Sequence, residues 1–287
     1  MIGEEPAKPK PPARLGGAEE KGFAIMDLGL TGKRALVMGG GRGIGRGIAT
    51  ALAAEGTSVA IVSRNREALE KAALEIGDKT GAPMMAVAAD LGDHASIAKA
   101  YHRIAEAFGG IDILINNSGG PPPSGAAGIA AEQWQTHFEA MVLNVIGLTD
   151  LALPGMRARG WGRVLTVASS GVVQPIPTIG MSNTLRSALV GWSKTLAGEV
   201  GKDGVTVNML LPGRIATERV AQLDNMVASR QGKPVEEIAA KAAAEIPVGR
   251  YGTIEEFGAV AAFLASEKAS YVTGSLIRID GGAIRSI

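Results

Sequence analysis

The stretch RALVMGGGRGIG, residues 34–45, decides the fold of this chain. A short apolar run, Arg34–Met38, ends in a glycine-rich turn that leads at once into a helical pattern. Glycine in such a turn permits a sharp bend, a close approach of the backbone to a pyrophosphate and tight packing of helix on strand. The N-terminus of the helix then offers unpaired N–H groups to an anion. The stretch therefore predicts a dinucleotide-binding turn between a first strand and a first helix.

Short β-branched apolar runs alternate with helical patterns along the rest of the chain, which is typical of βαβ units. Strands are predicted at Arg34–Met38, Ser58–Val62, Met84–Ala88, Ile111–Ile115, Arg163–Val167, Val205–Leu210 and Leu276–Ile279. Helices are predicted at Gly45–Glu55, Arg66–Thr80, His94–Phe108, Ala131–Arg159, Thr184–Val200 and Ile254–Ser266. The fold class is therefore α/β: a single doubly wound, Rossmann-type parallel sheet of seven strands with helices on both faces. Ligands are expected at the carboxyl ends of the strands.

The length of 287 residues fits one large α/β domain. We predict this domain over residues 27–287, with residues 217–250 as a helical insertion on the substrate side. The insertion either covers a site or only caps the fold. Residues 1–26, rich in Pro, Gly and charge, are predicted to form a disordered arm, and the alternative is a working chain that begins at Met26.

The composition excludes several classes of partner and of site. With 29 basic and 28 acidic residues, the net charge is close to zero, so the chain as a whole does not attract nucleic acid or an anionic membrane surface. A sequence without cysteine has no disulfide, thiolate metal site or thiol nucleophile, and it fits a cytoplasmic location. The three histidines form no ligand cluster, so no metal site is predicted. The longest uncharged stretch, Val164–Leu185, contains two prolines and several polar residues, so no membrane span is predicted.

The end of the second predicted strand indicates which dinucleotide is bound. It reads Ser63-Arg64, where an NAD site has an acidic residue that accepts hydrogen bonds from the ribose 2′-hydroxyl. A carboxylate there would repel a 2′-phosphate, whereas the guanidinium groups of Arg64 and Arg42 are suited to bind one. We therefore expect NADP(H) rather than NAD, and the alternative is two solvated arginines on a loop.

From Leu30 to Ile287 the chain resembles the short-chain dehydrogenases/reductases in a series of motifs that occur in order. The glycine motif is followed by Asp90-Leu91, by the fourth-strand motif Asn116-Asn-Ser-Gly119, by Pro212-Gly-Arg-Ile-Ala-Thr217 and by Asp280-Gly-Gly282; Met38 stands for the usual Thr and Ser118 for the usual Ala. The resemblance implies cofactor contacts at Gly39, Gly41, Arg42, Gly43, Ile44, Gly45, Ser63, Arg64, Asp90, Leu91, Asn117, Gly119, Arg186, Pro212, Gly213, Ile215 and Thr217.

The catalytic motif departs from the family. Asn144 and Ser169 match the family's active-site Asn and Ser, but Ser182 stands where the family has Tyr, and Arg186 where it has Lys. The stretch from Ala188 to Ala197 overlays the family without a gap, which supports this register. The resemblance therefore implies an atypical catalytic group of Asn144, Ser169, Ser182 and Arg186, with Asn144 holding a water in a proton relay.

Two functions remain open at this point. In the first, the protein is an NADP(H)-dependent oxidoreductase for a small carbonyl or alcohol, with a 3-oxoacyl thioester as one possibility. A serine hydroxyl is a much weaker acid than a phenol, so the loss of Tyr is expected to slow proton supply. In the second, the fold binds NADP(H) without turnover, as a sensor or partner subunit. The resemblance also implies a homo-oligomer, a dimer or a tetramer.

Overall fold

The computed structural model describes residues 26–286, so the predicted arm, apart from Met26, lies outside the described residues. Seven strands form one parallel sheet in the order β3-β2-β1-β4-β5-β6-β7, which confirms the predicted fold class. The strands are β1 (Arg34–Met38), β2 (Ser58–Ser63), β3 (Met84–Ala88), β4 (Ile113–Asn116), β5 (Gly162–Val167), β6 (Val205–Pro212) and β7 (Leu276–Ile279).

The helices connect the strands as right-handed βαβ crossovers require. They are α1 (Gly43–Ala54), α2 (Arg66–Thr80), α3 (His94–Phe108), α4 (Ala131–Phe138), α5 (Asn144–Ala158), α6 (Gly180–Val200), α7 (Glu218–Gln231), α8 (Val235–Ala244) and α9 (Ile254–Ala265). The segment predicted as an insertion thus contains α7 and α8.

Each face of the sheet is covered by helices and has its own apolar core. Along β1, Ala35 and Val37 belong to the core with α1, α2 and α9, whereas Leu36 and Met38 belong to the core with α3, α5 and α6. The alternation follows from the period of two in a strand, and burial on both faces explains why the strands are apolar throughout. The sheet order reverses between β1 and β4, which opens the crevice where such sheets bind ligands.

Several predicted boundaries differ from the observed ones. Helix α1 begins at Gly43 rather than Gly45, and α6 begins at Gly180 rather than Thr184, so Ser182 lies in the first turn of α6. The helix predicted over residues 131–159 is interrupted by a π-helical turn, Glu139–Leu143, between α4 and α5. Apolar periodicity does not mark such boundaries, because glycine and polar residues begin the helices.

Strand β4 begins at Ile113, not at Ile111 as predicted, and Asp112 precedes it. The buried Asp112 carboxylate accepts hydrogen bonds from Arg34 Nε at 2.7 Å and from Arg34 Nη2 at 2.6 Å, one on each oxygen. It accepts a third from Arg159 Nε at 3.0 Å. Burial by itself would raise the pKa of Asp112, but the hydrogen bonds and charges of the two arginines outweigh it and lower that pKa below its usual value. This cluster ties β1, β4 and the end of α5 at the edge of the sheet opposite the crevice.

The continuous helical run Ala131–Ala158, which includes α4 and α5, is the one described segment long and apolar enough to cross a membrane by length and composition. Its most apolar window has a mean hydropathy of 1.3, and 44% of that window is buried inside the protein. The stretch Val164–Leu185, singled out in the sequence, is instead divided among β5, a 3-10 turn at Ser170–Val172, a loop and the start of α6.

Candidate active site

The predicted site residues follow the carboxyl ends of the strands and therefore lie at one edge of the sheet. The glycine-rich turn follows β1, Ser63 ends β2, Asn117 follows β4, and Pro212 ends β6. Between the ends of β1 and β4, Asn117 Nδ2 donates to the carbonyl oxygen of Met38 at 3.1 Å. Residues of several motifs thus lie at the carboxyl ends of the strands, next to the point where the strand order reverses.

The glycine-rich turn has the geometry of a phosphate cradle. Gly39 and Gly43 adopt positive φ values of 64° and 52°, which favour glycine. A Cβ on Gly45 would lie 2.2 Å from the carbonyl oxygen of Gly39, so the close return of the turn needs glycine there as well. No side chain caps α1, and its first turn has no acidic residue, so its N–H groups and dipole favour an anion. These residues fit the pyrophosphate of a dinucleotide.

The two arginines expected at a 2′-phosphate differ in their surroundings. Arg42 Nη1 is 2.9 Å from the Glu218 carboxylate, in an ion pair whose side chains are 77% and 69% exposed. Such an exposed pair contributes only about 0–1 kcal/mol, so an incoming phosphate can replace Glu218 at little cost. Arg64 is exposed beside Ser63, and its side chain makes no hydrogen bond within residues 26–286. Arg64 is therefore the better placed of the two.

The other predicted cofactor residues occupy structural positions around the crevice. Asp90 Oδ1 accepts a hydrogen bond from the Gly92 amide, and the carbonyl oxygen of Leu91 accepts one from Asn144. A Cβ on Gly41 would lie near Ser63 Oγ and Leu69, and Gly213 packs on Asp280. Ile44 is partly buried against the core, and Ile215 is buried. Thr217 caps α7 and lies beside Gly43.

Ser169 caps the 3-10 turn Ser170–Val172, and this turn contacts α6, in whose first turn Ser182 lies. Ser169 Oγ accepts a hydrogen bond from the Gly171 amide at 3.0 Å, which leaves its hydroxyl hydrogen available to donate. Ser182 is half-buried, and its hydroxyl group makes no hydrogen bond within the described residues. The site therefore offers two hydroxyl donors, but neither has the acidity of a phenol.

Arg186 is a buried guanidinium held by main-chain carbonyl groups. Its Nη1 donates to Val167 at 3.0 Å, and its Nη2 donates to Ser118 and Gly119, each at 3.3 Å. Burial and then the charge of Arg219 lower the pKa of Arg186 to about 10, so the side chain is cationic at neutral pH. Arg186 thus joins the carboxyl ends of β4 and β5 and places a positive charge between them.

Asn144 begins α5 immediately after the π-helical turn, and such turns occur often at functional sites. Its Nδ2 donates to the carbonyl oxygen of Leu91 at 3.1 Å. The structure therefore gives this side chain a fixed contact with the segment after β3, and the water-holding role that the resemblance implies stays a prediction.

The loop after β4, residues 119–125, contacts the start of α6. The Gly180 amide donates to the carbonyl oxygen of Ser124 at 2.9 Å, and Gly180 packs against Gly125 so closely that a Cβ would lie 2.8 Å from its carbonyl group. The loop is therefore fixed against the start of α6. Just before Gly180, Thr178 is the only non-glycine residue of the described chain with positive φ, 68°, which is a strained conformation for a β-branched residue.

Arg219 is a residue beside the loop after β4 that the sequence motifs did not single out. It lies in the first turn of α7, and its Nη2 donates to the carbonyl oxygen of Pro121 at 3.1 Å. The only signal in the sequence was its position two residues after the Pro212–Thr217 motif, and that spacing does not show where its side chain points. Within residues 26–286, no group of three or more acidic or histidine side chains is arranged to hold a metal ion.

The fold and the site define a protein of the Rossmann type, and comparisons with known proteins specify the family. Residues 39–283 match the family described as Enoyl-(Acyl carrier protein) reductase. The chain is 36% identical over 259 residues to the 3-oxoacyl-(acyl-carrier-protein) reductase FabG of Aquifex aeolicus, which covers 90% of this chain and 99% of that protein. It is 32% identical over 256 residues to the NADPH-dependent reductase BacG of Bacillus subtilis, with 89% and 99% covered.

A solved structure is similar as well. The L-sorbose reductase of Gluconobacter frateurii, in complex with NADPH and L-sorbose, superposes with a TM-score of 0.87 at 34% identity and covers 91% of this chain and 100% of that one. The chain therefore belongs to the short-chain dehydrogenase/reductase family, and these relatives are oxidoreductases.

Proposed function

We propose that the protein is an NADP(H)-dependent oxidoreductase that transfers hydride between the nicotinamide and a small carbonyl or alcohol substrate. The observation that carries the proposal is the arrangement at the carboxyl edge of the sheet. The uncapped N-terminus of α1, Arg64 after β2 and the buried cation Arg186 lie around one crevice. The NADPH named with the reductases of Bacillus and Gluconobacter supports the choice of cofactor.

The bound cofactor would supply the hydride, and the residues of the chain would orient the carbonyl group and stabilise the charge that develops on its oxygen. Ser169 has a hydroxyl hydrogen to donate to a carbonyl oxygen, and we propose Ser182, in the first turn of α6, as a second donor. The fixed charge of Arg186 stabilises the oxyanion that develops as the carbonyl is reduced. Because neither serine is a strong acid, we propose that solvent delivers the proton to the alkoxide. This is slower than transfer from a phenol, and the loss of a general acid typically costs about 10²–10⁴ in rate.

The alternative, NADP(H) binding without turnover, is favoured by one observation. Three carbonyl groups engage Arg186, which ties it to the backbone in a structural role. In that case the protein acts as a sensor or a partner subunit. We further propose that the protein is cytoplasmic. We also propose that it assembles as a homo-oligomer, a dimer or a tetramer, and a measurement of its mass in solution tests the oligomeric state directly.

One experiment separates the two functions. Isothermal titration calorimetry with NADPH should show saturable binding in either case. The near-ultraviolet absorbance of NADPH should then fall with a panel of small ketones, 3-oxo acids and 3-oxoacyl thioesters only if the protein is an enzyme. A steady absorbance across the panel with saturating NADPH would establish the non-catalytic alternative. No binding of either the oxidised or the reduced cofactor would refute both.

A further inference from the structure

Two guanidinium groups face the same short loop of the crevice. Arg186 donates to the carbonyl groups of Ser118 and Gly119, and Arg219 donates to that of Pro121. One arginine is buried in α6 and the other is exposed in the first turn of α7. The charge of Arg219 contributes to the lowered pKa of Arg186, as expected for two cations within electrostatic reach.

Neither arginine is paired with a carboxylate within residues 26–286. The acidic residue next to Arg219, Glu218, forms its ion pair with Arg42, and the buried Asp224 of α7 binds Arg214 and Tyr251. Carbonyl dipoles satisfy hydrogen bonds but do not neutralise charge, so the crevice keeps a net positive field where its loop meets α7. A buried cation without an opposite charge is costly, and such an arrangement is complementary to an anionic ligand.

We assign the phosphates of a dinucleotide to other groups of the crevice. The glycine-rich turn and the N-terminus of α1 form the cradle for the pyrophosphate, and Arg64 lies after β2 for the 2′-phosphate. Arg219 instead contacts the loop that follows β4, and it lies on α7, in the segment predicted to lie on the substrate side. The negative charge that fits it is therefore carried by the substrate.

We propose that the substrate carries a carboxylate next to the reacting carbonyl group, as in a short 2-oxo or 3-oxo acid, and that Arg219 binds this carboxylate. The inference rests on the proposed reductase function and specifies its substrate. Arg219 presents a planar fork of N–H donors that suits a carboxylate, and only part of it is used by Pro121. Arg186 deeper in the crevice then lies on the side of the reacting oxygen.

The test compares an acid with its neutral ester. NADPH consumption is measured with 3-oxobutanoate and with its methyl ester, for the wild type, for Arg219→Gln and for Arg219→Lys. Arg230→Gln, at the exposed end of the same helix, is the matched control. We expect the acid to be preferred by the wild type. We expect Arg219→Gln to raise the KM for 3-oxobutanoate by about tenfold or more. Arg219→Lys should give a KM between those of the wild type and Arg219→Gln, and Arg230→Gln should leave the KM unchanged.

A binding measurement makes the test independent of turnover. Calorimetry follows 3-hydroxybutanoate added to the protein with saturating NADPH, a pair that cannot react with each other. Weaker binding to Arg219→Gln than to the wild type supports the carboxylate site even if no compound is reduced, an outcome that refutes only the reductase function. Equal reduction of acid and ester with an unchanged Arg219→Gln variant overturns the carboxylate site and leaves the reductase function intact. No binding of the hydroxy acid to an inactive wild type overturns both.

Discussion

Gly45→Ala is expected to damage cofactor binding more than it damages the fold. The added Cβ would lie 2.2 Å from the carbonyl oxygen of Gly39, and ordinary contact begins at 3.4 Å, so the glycine-rich turn must move by about 1 Å. Overpacking of this kind typically costs about 1–3 kcal/mol. Because the shifted backbone is the cradle itself, we expect the Kd for NADPH to rise by at least about tenfold, which corresponds to about 1.4 kcal/mol.

The assay pairs calorimetric titration of NADPH with thermal unfolding of the same samples. Gly198→Ala serves as the control, because it lies in α6 and a Cβ there meets nothing within 4 Å. It should leave the Kd unchanged and stabilise the protein slightly, by up to about 1 kcal/mol, through helix propensity. If Gly45→Ala binds NADPH like the wild type, the turn between β1 and α1 is not the phosphate cradle, and the assignment of the cofactor site is wrong.

Three further changes test other parts of the structure. Ser182→Tyr combined with Arg186→Lys should raise the rate of carbonyl reduction by about 10²-fold or more if only the proton donor is missing. A fall in the steady-state rate would show that Ser182 and Arg186 themselves form a functional catalytic pair. Arg64→Ala should raise the Kd for NADPH by about tenfold and leave the Kd for NADH unchanged. Arg66→Ala, on α2, should change neither Kd. The lowered pKa of Asp112 adds stability that is present above about pH 4 and is lost as the pH falls through the folded-state pKa. Asp112→Asn should therefore lower the free energy of unfolding by about 2 kcal/mol at pH 7 and flatten its dependence on pH below 4, and an unchanged acid profile in urea titrations would contradict this.

The sequence by itself determined the sheet, its order of elements and the edge at which the site lies. Short continuous apolar runs, the helical patterns between them and the glycine-rich turn after Met38 are local patterns, because each depends only on residues that are close in sequence. That Ser182 and Arg186 stand in place of the family's Tyr and Lys stays a prediction from the sequence, because it depends on the register set by the residues that follow them.

Only the tertiary structure decided how the charges are paired. The ion pair of Arg42 with Glu218, the three carbonyl contacts of Arg186 and the contact of Arg219 with Pro121 join residues far apart in sequence. No periodicity reports such contacts, because the direction of an exposed arginine depends on which segments the fold brings beside it. The positive field of the crevice follows from those pairings, and the balanced charge of the whole chain gives no sign of it.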